Sequence, residues 1–196
     1  MIVIQKIREL CKLNEGMTFY FKALSLIFVI ALSVGLITAI LFPFEARQGV
    51  DEVSKQLEFL SGAGPFQIFW IIFLNNAIKS FFALAGGILF GIIPVVFILV
   101  NGYAIGIVGA VVVAEKGIMT LLILTLPHGI FEIPAVLLAA SYGVMLGEKF
   151  FARVKRGEPF RPSFSMAMDV FFKIIIPILA IAALIETIAG AIIHTQ

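Results

Sequence analysis

From Ala23 to Phe42 the chain runs for twenty residues without a charge, and apolar stretches of similar length recur at 66–90, 92–114 and 174–194. A helix needs about 20 mostly apolar residues to cross the hydrocarbon of a bilayer. In that solvent a segment must pair its own backbone groups, which an α-helix does. The fold class that follows is an all-α, polytopic membrane bundle, with the lipid bilayer as first partner. Composition agrees, since 61% of residues are hydrophobic and 13% charged, whereas soluble domains run roughly 45–50% and about 25%. The net charge of +2 gives no reason to expect a nucleic-acid partner.

The first run follows Lys6, Arg8, Lys12 and Lys22. It is too long for a typical signal-peptide core and has no small-residue cleavage site after it, so it reads as a retained anchor. The stretch 118–147 fits less easily. It is long for one straight span and short for two, and Pro127 and Gly129 interrupt it. This predicts a short re-entrant or broken helix at 118–128, then a span over about 129–147. Positive charge orients the spans. Residues 1–22 carry four Lys/Arg, and 148–162 carry Lys149, Arg153, Lys155, Arg156 and Arg161. The loop at 44–65 has Arg47 and Lys55 against Glu45, Asp51, Glu52 and Glu58. With both basic segments in the cytoplasm, five spans result, N-terminus inside and C-terminus outside, in the cell membrane.

The domain plan is a cytoplasmic amphipathic basic segment at 1–22 and a single transmembrane domain at 23–196. Val50, Val53, Leu57 and Leu60 recur at helical spacing, predicting an external amphipathic helix at about 45–61. Val3, Ile7 and Leu10 mark a similar one in the basic segment, and 148–162 is a cytoplasmic basic loop. The lone Cys11 allows no internal disulfide and no CxxC motif; it reads as a small residue on the peripheral helix.

Polar residues within apolar runs are costly and by default mark a function. Asn75, Asn76, Lys79 and Ser80 lie in the second span, Asn101 in the third, His128 and Glu132 in the interrupted stretch, and Glu186 in the last. His128 and Glu132 are one helical turn apart and share a face. Lys79 and Glu186 sit at similar fractional depth, which predicts that they face one another, with Glu132 as the competing counter-ion. The expected buried polar cluster is Asn75, Asn76, Lys79, Asn101, His128, Glu132 and Glu186. Asp169 and Lys173, also one turn apart, read as an interfacial pair. Gly87/Gly91, Gly102/Gly106 and Gly143/Gly147 are GxxxG pairs, which let helices approach closely. They argue for a compact bundle and for a homo-oligomer, a dimer.

Three readings of His128 and Glu132 stand side by side. As metal ligands they suit zinc or a similar divalent ion, with a third ligand from Glu186, from Asn75 or Asn76, or from a second subunit. As acid and base they relay protons across a helix break. As structure, they answer Lys79 and freed carbonyls. HExxH, GxSxG, a P-loop and GxGxxG are all absent, so no catalytic residue is assigned.

The blocks Asn75-Asn76-x-x-Lys79, Gly86-Gly87-x-x-x-Gly91, Asn101-Gly102-x-x-x-Gly106 and Leu126-Pro127-His128-Gly129-x-x-Glu132-x-Pro134-Ala135, in this order, resemble the stage II sporulation protein M family. The resemblance implies a small integral membrane protein of about five spans. It further implies a non-enzymatic scaffold or assembly component for envelope or peptidoglycan-remodelling partners. The residues themselves keep an alternative open, a transporter or channel whose path passes the His/Glu/Lys cluster.

Overall fold

The computed structural model describes residues 14–57 and 62–194. The basic segment with Val3, Ile7, Leu10 and Cys11, and Leu60 at the end of the amphipathic stretch, lie outside the described residues. Among those described, every element is a helix or helical turn. Helix α1 (Asn14–Leu41) stops before Pro43, and α2 (Pro43–Leu57) begins on that proline, whose missing N–H costs nothing in a first turn. Helix α3 (Pro65–Ala85) starts the same way, with the Gln67 side chain accepting from the Gly64 N–H at 3.0 Å. A 3₁₀ turn, Gly86–Ile88, leads to Gly91, whose φ of 74° starts α4 (Ile92–Lys116). Helix α5 (Ile118–Arg156) ends at Gly157, φ 72°, whose N–H returns to the Arg153 carbonyl at 2.9 Å. Helix α6 (Arg161–Val170) passes through a π-helical turn, Phe171–Ile175, into α7 (Ile176–His194). Pro177 has no N–H to offer the Lys173 carbonyl four residues back, which accounts for the widened turn.

Among the described residues, five helical segments are long and apolar enough to cross a membrane: Gly16–Leu41, Pro65–Ile88, Ile92–Lys116, Thr125–Arg156 and Arg161–Gly190. The expected count of five stands. The expected break at 118–128 does not, because residues 118–156 form one continuous helix that carries Pro127 and Pro134 inside it. A proline costs about 3 kcal/mol in a helix interior judged in water. In lipid an opened backbone has no water to pair with, so keeping the helix is the cheaper outcome. Length fits as well. From Ile118 to Gly147 the helix is about 45 Å long, the thickness of hydrocarbon plus both headgroup layers. It runs back along α4, since Gly117 alone joins the two at one end and Gly91 meets Gly147 at the other.

Helix α5 is the hub. On one side it packs against α1 and α4, which hold each other closely, and on the other against α3 and α7. Leu24, Phe28, Ile98, Leu137 and Ala140 form the core of the first side. Ala77, Leu84, Ala135, Ala139, Leu146, Ile175 and Leu179 are central to the second. The GxxxG pairs make both contacts possible. A Cβ on Gly87 would strike the backbone of Gly143, and one on Gly147 would strike Gly91 and Gly87. A Cβ on Gly106 would strike the Leu32 carbonyl on α1. All three pairs are therefore used inside one chain, and they supply no separate argument for the expected homo-oligomer.

Candidate functional site

Helix α5 presents His128 and Glu132 on one face, and α7 brings Glu186 to the same place. One ligating atom from each lies within 4.8 Å of the other two, and all three side chains are half-buried. The His128 Nδ1 is buried without a hydrogen-bond partner. From α3, Asn76 and Lys79 both face Glu132. The register follows from packing. Gly87 sits on Gly143 and both helices run in the same direction, so eleven residues earlier Asn76 comes level with Glu132.

The sequence-predicted cluster thus comes together in part. His128, Glu132 and Glu186 form its centre, with Asn76 and Lys79 at its edge. The expected Lys79–Glu186 pair does not form: among the described residues no ion pair within 4.0 Å involves Lys79. Lys79 remains exposed on α3, one turn from Asn75, which is also exposed. The Asn75 Nδ2 donates to Asn76 Oδ1 at 3.4 Å, an arrangement within α3. Asn101 donates to the Phe97 carbonyl of its own helix at 2.7 Å. No hydrogen bond joins it to the triad among the described residues, so it serves α4. Ser80, fully buried, has an unpartnered hydroxyl one turn beyond Asn76.

At the basic end, Tyr20 of α1 donates to Glu148 of α5. Sequence reasoning had no signal for this bond, since neither residue is unusual at a span end. The Asp169–Lys173 pair forms as expected, at 2.7 Å on an exposed face. At the other end, Arg47 of α2 pairs with Glu115 of α4 at 3.0 Å. Ala46 there packs with Ala39 of α1 and Val111 of α4.

Chemically, an imidazole and two carboxylates at this spacing offer one nitrogen and two oxygen ligands. Two carboxylates so close together in a medium of low dielectric need a shared proton or a cation between them.

A family model for Stage II sporulation protein M matches residues 24–189. An uncharacterized protein of Methanocaldococcus jannaschii is 35% identical over 79 residues, which cover 40% of this chain and 44% of that protein. The match therefore takes in less than half the length of the relative. No solved structure matches the chain.

Proposed function

Since the chain belongs to the stage II sporulation protein M family, we propose that it is a non-enzymatic membrane assembly component that holds envelope partners at the α2 end of its bundle. The carrying observation is the way α2 is fixed. Its Ala46 packs into the α1–α4 contact and its Arg47 pairs with Glu115, which turns Gln48, Asp51, Glu52 and Lys55 outward. Phe44 stands beside them, 75% exposed. A small surface of mixed charge with one aromatic suits recognition by another protein, where electrostatic complementarity sets partner choice. By the distribution of positive charge this end is external.

The reading is tested by a photo-crosslinking residue at Gln48, with adducts identified from native membranes. One defined envelope protein is expected, lost in the double variant Asp51→Lys, Glu52→Lys and retained in His128→Ala. Adducts that persist unaltered in the charge-reversed protein would overturn it. The intramembrane triad favours a second reading, ion transport. Proteoliposome flux of protons, divalent cations or small anions decides it, and no flux under any gradient removes it.

A further inference from the structure

We propose that His128, Glu132 and Glu186 bind one divalent transition-metal ion, which bridges α5 and α7. The inference is independent of the assembly role, which is placed on α2.

Three observations carry it. The first is proximity: the three ligating atoms fall within 4.8 Å of one another. Bonds of roughly 2.0–2.2 Å in a tetrahedral site put neighbouring ligand atoms about 3.4 Å apart. The two glutamates reach that spacing by rotation about their side-chain bonds, which half-burial leaves free. The second is the orphaned His128 Nδ1. A buried ring nitrogen without a partner is rare and calls for a reason, and a metal ion on Nδ1 would supply the missing partner. The third is charge. Glu132 and Glu186 face each other across the helix contact with no cation within 4.0 Å among the described residues. Lys79 lies near Glu132 but makes no ion pair with it. A divalent ion neutralises both carboxylates at once.

The donor set selects the ion. One imidazole nitrogen with two carboxylate oxygens suits zinc, manganese or ferrous iron. Calcium and magnesium favour shells made wholly of oxygen. Asn76 comes level with Glu132 in the register of α3 on α5, where it would support that carboxylate as outer groups do in metal sites. Three protein ligands leave a coordination position open.

The test uses the full chain in lipid nanodiscs, stripped with chelator and titrated with zinc chloride and with cobalt chloride. One equivalent per chain is expected, with the visible absorption bands of low-symmetry cobalt and a rise in the unfolding midpoint on adding zinc. His128→Gln, Glu132→Gln and Glu186→Gln should each weaken binding at least tenfold, while Asp169→Asn leaves it unaltered. Failure of the parent protein to take up a saturable equivalent overturns the site without recourse to any variant. Equal binding by parent and Glu186→Gln overturns it too, by placing the ion elsewhere. Loss of metal with intact crosslinking at Gln48 would leave the assembly role untouched, and the reverse result would leave the metal site standing.

Discussion

At the scale of single residues, the bundle's polar groups divide into those that act between helices and those that serve only their own. Asn101, Ser141 and Thr187 each donate to a carbonyl four residues back, which satisfies them locally. Ser80 does not, and its buried hydroxyl is unpaired. Such a group costs about 1–3 kcal/mol, so Ser80→Ala should raise the unfolding midpoint in detergent or nanodiscs. A fall of that midpoint would mean that the hydroxyl has a partner after all. Tyr20 behaves in the opposite way, since its bond to Glu148 ties α1 to α5 at the basic end. Tyr20→Phe should lower stability by about 0.5–1.5 kcal/mol, and an unaltered midpoint would count against the tie. These residues also show what a sequence can and cannot say about a site. His128 and Glu132 were legible because four residues on a helix share a face whatever the tertiary structure. Glu186 was legible both as a third ligand beside His128 and Glu132 and as a partner for Lys79, and spacing alone did not choose between the two. Matching fractional depth picked Lys79, whereas the packing of α7 against α5 brings Glu186 to His128 and Glu132 instead.

At the scale of the element, α5 shows a rule from water failing in lipid. Pro127 and Gly129 predicted a break, and the helix carries on through both. The other spans were legible because run length alone fixes them, given an apolar solvent that forbids unpaired backbone. Single-cysteine labelling across residues 119–126, in a Cys11→Ser background, should therefore show a period near 3.6. A block of uniformly reactive positions would restore the break. Close packing gives a second element-scale prediction. Gly87 has no room for a side chain against Gly143, while Gly49, on the exposed face of α2, has nothing within 4 Å of a Cβ. Gly87→Ala should cost about 1–3 kcal/mol through overpacking. Gly49→Ala should gain roughly 0.5–1 kcal/mol, because alanine loses less backbone freedom in a helix. Equal effects at the two positions would sink the assignment of Gly87 to an interhelical contact.

At the scale of the whole molecule, two helix pairs close on one central helix, and the two ends of the bundle differ in chemistry. Lys149, Arg153, Lys155, Arg156 and Arg161 gather where α5 ends and α6 begins, near Lys22 at the start of α1. The opposite end carries α2 and the Arg47–Glu115 pair, with charges of both signs. A charge asymmetry of this kind sets insertion, because basic loops stay on the cytoplasmic side. It predicts that a membrane-impermeant thiol reagent labels Gln48→Cys on intact cells and reaches Arg156→Cys only after permeabilisation. The odd number of crossings then fixes the far end without further assumption. Gly190→Cys, near the end of the last span, must label on the same side as Gln48→Cys. Labelling of Gly190→Cys on the side of Arg156→Cys would mean that the last segment, Arg161–Gly190, does not cross, against its length and apolarity.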